Sequence, residues 1–317
     1  MSKNIAAVVV TYNRKQLLTE CLDALLAQTC HICKIILIDN ASTDGTLELL
    51  RERGYLVNPI IDYVRLPENT GGAGGFYEGV NRGYEAGYDW LWLMDDDSEP
   101  LPDALGILSD YFNEPSIIAL TGLKVGEDGK PQYTHCGWFS LCTYGMQITR
   151  PIAVEHVLRE AVEIDFASFV GILVSRKGIK LSGFPKKSFF IHHDDVEYCY
   201  RMRKNGNILL IPKSIIMHKD GRNSRYSTST IFRRTSNRVA FKYIWITYYG
   251  IRNLTWMRKK YCKNYHLSIL VVFLRITLGI IVYDNYKWQR IKFYSFAILD
   301  GLHDIFDNEK PKYLRVK

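Results

Sequence analysis

Three consecutive aspartates, Asp95, Asp96 and Asp97, close the apolar run Trp90-Leu-Trp-Leu-Met94. Carboxylates crowded in this way repel one another and lose hydration, a cost that a bound cation removes. Alternate side chains of extended backbone face the same way, so Asp95 and Asp97 can meet one ion while Asp96 turns aside. Hard oxygen ligands suit Mg2+ or Mn2+, the ions that bridge diphosphate oxygens. A solvated acidic turn would carry the same three letters, so neighbouring motifs must decide between the two readings.

Two of those neighbours favour a nucleotide. Asp39 follows the apolar run Ile35 to Ile38 and can accept from a base or a ribose. The stretch Glu68-Asn-Thr-Gly-Gly-Ala-Gly-Gly75 lets backbone approach a ligand closely, because glycine has no side chain to block it. It matches neither G-x-x-x-x-G-K-[ST] nor G-x-G-x-x-G, so kinase and dehydrogenase readings lose their main support. A second carboxylate group, Asp194, Asp195 and Glu197, opens a predicted helix. Carboxylates are favoured at a helix start whatever their role, so chemistry there needs further support.

These residues need a scaffold that brings them to one edge. The first half alternates short apolar runs with helical patterns, as a parallel-sheet α/β domain requires. Strands are predicted at Ile5 to Val10, Ile35 to Ile38, Ile60 to Leu66 and Trp90 to Met94. Between the first two, Leu17/Leu18, Cys21/Leu22 and Leu25/Leu26 recur every four residues and predict an amphipathic helix. Another helix is predicted from the glycine cluster to Ala86. In such sheets functional groups gather beyond the carboxyl ends of the strands, where Asp39 and Asp95 to Asp97 fall. Further on, Gln132 to Tyr144 predicts a hairpin, Phe166 to Ser175 a buried strand and Asp194 to Lys204 a helix; past Ser224 the chain reads as helical, aromatic and basic.

Five motifs in this order resemble the GT-A fold glycosyltransferases of family 2, and within it the galactofuranosyl and rhamnosyl transferases of bacterial cell-surface glycans. They are Val10-Thr-Tyr-Asn-Arg14, Ile38-Asp-Asn-Ala-Ser-Thr-Asp-Gly-Thr46, Asn69-Thr-Gly-Gly-Ala-Gly-Gly-Phe76, Trp90-Leu-Trp-Leu-Met-Asp-Asp-Asp97 and Phe190-Ile-His-His-Asp-Asp-Val-Glu-Tyr198. The resemblance implies an α/β GT-A fold, a Rossmann-like nucleotide-diphospho-sugar transferase with a mixed sheet and a helical C-terminal extension. Its expected catalytic domain is 1–222, with a donor half of about 1–125 and an acceptor half of about 126–222, followed by an extension over 223–317.

The same resemblance assigns roles. Tyr12 and Arg14 resemble the loop that meets base and diphosphate, Asp39 the carboxylate that recognises the base, and Asn69 a donor-binding asparagine; Gly72 and Asp96 fall beside them on the donor. Asp95 and Asp97 match the metal pair, with His218 completing coordination of Mn2+ or Mg2+. Asp195 resembles the catalytic base, with Asp194 and Glu197 as rivals. An inverting transfer independently needs a carboxylate to take the acceptor proton. The implied donor is a UDP- or dTDP-sugar, and the implied acceptor a glycan or polyprenyl-diphosphate-linked oligosaccharide. His193 stands where some galactofuranosyl transferases carry tryptophan, and the Q-x-x-R-W signature of processive synthases is absent, which favours addition of one or a few residues.

Composition bounds the remaining choices. The 317 residues, 47% hydrophobic, suffice for a sizeable core. Seven scattered cysteines read as free thiols in a reducing compartment, and Cys30 and Cys33 as linker cysteines rather than zinc ligands. The N-terminus has no signal-peptide pattern, so a cytoplasmic protein is expected. Of a net charge of +8, the segment from Lys213 to Lys263 holds thirteen basic residues against Asp220. Such a block attracts anionic lipid or nucleic acid. With the apolar Leu267 to Tyr283 stretch, it predicts peripheral attachment to an anionic membrane surface. A nucleic-acid-binding protein would leave the aspartates unexplained, and no nucleic-acid partner is expected. A metal-dependent nucleotidyltransferase stays open, as does homo-oligomerisation.

Overall fold

The computed structural model describes residues 3–219, 226–231 and 234–314. Arg222, Arg225, Arg233 and Asp220 of the basic segment lie outside the described residues. The contacts divide the chain into two units. One comprises Met1–Phe139, Arg150–Lys187 and Asp194–Lys219; the other comprises Ser140–Thr149, Ser188–His193 and Asp220–Lys317.

The first unit is built on a nine-stranded mixed sheet. Strand β1 (Ile5–Thr11) is buried at every residue, as expected of a central parallel strand covered on both faces. It pairs in parallel with β2 (Lys34–Asp39) on one side and β4 (Trp90–Asp95) on the other, and β2 pairs with β3 (Ile61–Arg65). Beyond β4 come short β5 (Ser98–Pro100) and long β6 (Ile117–Val125), then β7 (Cys136–Phe139), β8 (Thr149–Pro151), β9 (Val162–Ile164), β10 (Phe166–Ala167), β11 (Ile172–Ser175) and β12 (Asn207–His218). The sheet order is β3-β2-β1-β4-β11-β6-β12-β5, with β9 on β12. Antiparallel β11 joins β4 to β6, which makes the sheet mixed.

Helix α1 (Lys15–Leu26) buries Leu18, Cys21, Leu22 and Leu25, the predicted stripe. After α2 (Thr46–Glu52), α3 (Gly71–Glu85) starts within the glycine cluster. A methyl group at Gly75, Gly79 or Gly83 would collide with Val10, Val8 or Leu91 respectively. The glycines at this four-residue spacing therefore let α3 lie close against β1 and β4, a packing role that the ligand-contact reading of the cluster did not include. Helices α4 (Ala104–Ser109), α5 (Val154–Val157), α6 (Arg176–Ser182) and α7 (Asp194–Met202) complete this unit.

Three expectations change. The region Gln132 to Tyr144 is no hairpin, because it holds one strand, β7, whose sheet neighbours β8 and β10 both lie beyond Tyr144. The strand expected over Phe166 to Ser175 is broken into β10 and β11, with Gly171 left-handed at φ 85° just before β11. The free-thiol reading fails at Cys142 and Cys262, which form a disulfide with Cα atoms 5.5 Å apart, while the other five cysteines are free. The sequence separation of 120 hid this pairing from the sequence.

In the second unit a hairpin of β13 (Tyr226–Ile231) and β14 (Arg234–Val239) precedes helices α8 (Ile244–Tyr261), α9 (Tyr265–Tyr283), α10 (Lys287–Leu302) and α11 (Lys310–Leu314). Ile244, Tyr248, Tyr249, Phe293 and Ala297 form its core. The basic segment is not a continuous surface. Arg252 is fully buried and donates to the carbonyls of Ser188 and Phe189, and Arg258, also buried, donates to those of Leu141 and Gly145. Lys259 pairs with Asp304 at 2.5 Å. Helix α8 turns these charges inward because its long stems reach carbonyls that need donors.

Candidate active site

Parallel pairing brings two of the predicted carboxylates to one edge. In register, Thr11 lies opposite Asp39, and Val10 opposite Asp95. The carboxyl ends of β2, β1 and β4 are thus adjacent, and the loops beyond them form the site. Asn13 adopts φ 54° there; its N–H donates to Ser42 Oγ at 3.0 Å, and its side-chain oxygen accepts from Thr43 N–H at 2.7 Å. The loop after β1 is thereby tied to the loop after β2.

Asp39 is fully buried and both of its oxygens are engaged, one by the Ser42 N–H at 2.8 Å and the other by the Tyr63 hydroxyl at 2.6 Å. Its neighbour Asn40 accepts from Thr70 N–H and donates to the Gly71 carbonyl, while Asn69 accepts from Gly71 N–H at 2.8 Å. Asn40 and Asn69 together fix the start of α3, including Gly72, where a side chain would meet open space. Tyr12 is exposed.

The three aspartates part company. Asp96 accepts from the Thr11 hydroxyl at 2.7 Å and from Arg14 at 3.2 Å. Burial lifts its carboxyl to about 6 despite Arg14. Arg14 also reaches Asp97 at 2.5 Å. Burial opposes the Arg14 charge, yet Asp96, Asp97 and Asp95 together hold the guanidinium protonated. Asp95 is lifted well above the usual carboxylate range by burial and by the charges of Asp97 and Asp96, and Asp194 adds to that effect. Burial pushes Asp97 up as well, but His218 and Arg14 outweigh it and hold the carboxyl below its usual range.

His218, at the end of β12, stands with Nε2 3.4 Å from Asp97 Oδ1. Its Nδ1 lies 2.7 Å from the Gln132 side-chain oxygen, and the Gln132 amide nitrogen donates to the His218 carbonyl at 3.2 Å. Nδ1–H donates to Gln132, so a protonated ring would set Nε2–H against Asp97 Oδ1 and hold that carboxyl down, whereas a neutral ring would turn its Nε2 lone pair to an oxygen that finds no hydrogen bond among the described residues. Two acceptors in that relation need a proton or a cation between them. Asp97 and His218 therefore fit a divalent ion, whose other ligands would be water and substrate oxygens. Among the described residues no three His, Cys, Asp or Glu side chains cluster tightly enough to hold a metal alone.

Asp194 and Asp195 open α7. Burial, then the charge of Asp195, lifts the Asp194 carboxyl to about 8. Asp195 Oδ1 accepts from Val196 N–H at 2.7 Å. The third carboxylate, Glu197, is buried and gripped by Arg201 through both oxygens at 2.9 and 3.1 Å. That grip commits both Glu197 oxygens to Arg201. Sequence reasoning missed Gln132, Thr11 and Tyr63. Gln132 stands 86 residues from His218 and carried no local signal, whereas Thr11 follows the first predicted strand and Tyr63 lies within the third, so both could have been weighed.

The class that fold and site define is a nucleotide-diphospho-sugar transferase. Residues 6–181 match the model of glycosyl transferase family 2, and the chain belongs to that family. Over 97 residues it is 37% identical to the galactofuranosyltransferase GlfT1 of Mycolicibacterium smegmatis, covering 30% of each chain. Over 218 residues it is 27% identical to the abequosyltransferase RfbV of Salmonella typhimurium, 60% of this chain and 63% of that one. The match thus spans under a third of the mycobacterial relative and under two thirds of the Salmonella one. Among solved structures, GalNAc-T7 with UDP, GalNAc and Mn2+ superposes with a TM-score of 0.61 at 13% identity, over 97% of this chain and 57% of that one. That likeness establishes the GT-A fold.

Proposed function

We propose that the chain is an inverting, metal-dependent hexosyltransferase. It moves a sugar, with galactofuranose or rhamnose favoured, from a UDP- or dTDP-sugar to a hydroxyl of a glycan or polyprenyl-diphosphate-linked oligosaccharide in cell-surface polysaccharide synthesis. The observation that carries the reading is the buried Asp97 oxygen, without a hydrogen bond among the described residues, facing His218 Nε2 just beyond the carboxyl end of β4 in a family 2 chain. The names of the galactofuranosyl and abequosyl relatives support the sugar class, and the UDP and Mn2+ that accompany GalNAc-T7 in its crystal structure support the donor and ion.

In this reading Asp95, Asp97 and His218 would hold Mn2+ or Mg2+, which when bound would supply positive charge to the leaving diphosphate. Tyr12, Arg14, Asp39, Asn69, Gly72 and Asp96 hold the nucleotide. Arg14 would then exchange its aspartate partners for donor phosphate. Asp195 accepts the proton of the acceptor hydroxyl as its oxygen bonds the anomeric carbon. The bond from that carbon to the diphosphate breaks with inversion, and the nucleoside diphosphate leaves with the electron pair. Asp194 stands by as an alternative base. The proposed domain organisation is a catalytic part over 1–222 and an extension over 223–317.

The proposed place of work is the cytoplasmic face of the membrane, where nucleotide sugars are available; the cysteines no longer contribute to that argument. Incubation with Mn2+ and a panel of UDP- and dTDP-sugars tests the function. Release of a nucleoside diphosphate by the wild type and its loss in Asp97→Ala are expected. Release of pyrophosphate instead would identify nucleotidyl transfer.

A further inference from the structure

The second unit contains a cavity of about 380 Å³ that the transfer chemistry does not use. Its walls include the apolar side chains of Leu254 and Ile276, yet three guanidinium groups, those of Arg238, Arg275 and Arg290, face it against the single carboxylate of Asp284. Asp284 belongs to Arg238, which donates from Nε to both of its oxygens at 3.1 and 3.2 Å. Arg290 is 3% exposed, and its hydrogen bonds go to Asn285, to the carbonyl at 3.0 Å and the side-chain oxygen at 3.1 Å, with none to a carboxylate among the described residues. Arg275 finds the Tyr144 carbonyl at 3.3 Å and no carboxylate among the described residues.

The arrangement draws like charges together. Arg238 lies over Gly279, where a methyl group would come within 3.2 Å of its Nη1. Arg275 sits four residues earlier on the same face of α9, one helical turn away. With Asp284 taken by Arg238, the charges of Arg275 and Arg290 meet no carboxylate among the described residues, and each is costly where it is enclosed. A tetrahedral oxyanion matches the planar fork of arginine and offsets that cost.

The same helix offers an apolar track. Leu267, Leu270, Leu274, Leu278 and Ile281 recur every three or four residues, and each is at least half exposed. The track runs past Arg275, whose neighbour Leu274 belongs to it. We propose that the cavity binds the phosphoryl head of a lipid whose apolar chain lies along α9. This deepens the proposed function, on whose lipid-linked acceptor it rests, and is independent of which sugar is moved.

Calorimetry on the full chain with dodecyl phosphate below its micelle concentration tests the assignment. Arg275 is exposed, so Arg275→Gln spares the fold, and Arg290→Met adds the buried partner. Binding to wild type is expected, weakened at least about tenfold in Arg275→Gln. Inorganic phosphate, which lacks the chain, and dodecyl maltoside, which lacks the charge, are expected to bind far more weakly. Tighter binding of farnesyl diphosphate than of dihexanoyl phosphatidylglycerol would point to an isoprenoid carrier, and the reverse to a bilayer lipid; either supports the site. Equal affinity of wild type and Arg275→Gln, equal binding of inorganic phosphate, or displacement of dodecyl phosphate by UDP would overturn it. Donor binding to Asp97 and His218 is measured separately with UDP and Mn2+, so failure of one assignment leaves the other standing.

Discussion

The Gln132 side-chain oxygen and His218 Nδ1 lie 2.7 Å apart, and this contact decides which ring nitrogen faces Asp97. A histidine whose outer nitrogen is engaged keeps its ring orientation and tautomer, and removing such a partner typically costs about 10- to 100-fold in metal affinity. Gln132→Leu is therefore expected to weaken Mn2+ binding in the presence of UDP by that range while leaving the unfolding midpoint close to wild type. Calorimetric titration with Mn2+ checks this. Unchanged Mn2+ affinity would mean that His218 is not a ligand.

The roles of the two aspartates at the start of α7 separate by substitution. Asp195→Asn is expected to keep donor affinity and lose transfer by at least about 100-fold, the scale of a lost general base. Glu197→Gln should act differently, because its carboxylate is spent on Arg201 and its loss loosens the helix. Donor binding and turnover measured side by side distinguish these cases. Full turnover in Asp195→Asn with loss in Asp194→Asn would reassign the base.

Asp194 also makes a statement about stability. Its carboxyl titrates near 8 in the folded chain, lifted by burial and by Asp195, against about 3.9 when unfolded. Between those values the native state holds a proton that the unfolded state has released, so stability falls as pH rises, by up to about 1.4 kcal/mol per unit, and the fall ends above the folded value. Asp194→Asn removes that slope. Urea unfolding at pH 5, 6, 7 and 8 should show wild type losing ground to the variant across the series. Parallel curves would mean that Asp194 is ionised in the native protein.

Much of the catalytic unit was legible because its signals are local. A fully apolar run such as Ile5 to Val10 can only be an interior strand, and three aspartates ending another such run mark a sheet edge. That Asp39 and Asp95 fall at the carboxyl ends of their strands followed from the parallel pattern alone. The rest depends on distant partners. The Cys142–Cys262 bond and the Gln132–His218 contact join residues 120 and 86 positions apart. The basic segment misled in the opposite sense, since charge counted along a chain ignores which residues a helix turns inward: Arg252 and Arg258 satisfy carbonyls in the interior. The glycines of α3 were read as room for a ligand, and their spacing of four residues carried the additional message of close packing against β1 and β4.

That redistribution of charge alters the expected balance of membrane attachment. In the second unit Lys242, Lys260 and Lys263 are the exposed lysines of the basic segment. At about 1 kcal/mol each near an anionic bilayer, they supply about 3 kcal/mol. The stripe from Leu267 to Ile281, with Trp288 81% exposed, offers more, because burying a single leucine contributes about 1.5–3 kcal/mol. Helix α9 is also long and apolar enough to cross a membrane by length and composition. The apolar term should therefore dominate. Flotation with anionic vesicles is expected for the intact chain, reduced but not abolished by high salt, and lost in the double variant Leu270→Glu, Leu274→Glu. Both positions are exposed, so the folded state should survive, as its circular dichroism would show. Flotation of the double variant at the wild-type level, or none by the intact chain, would reject attachment through α9.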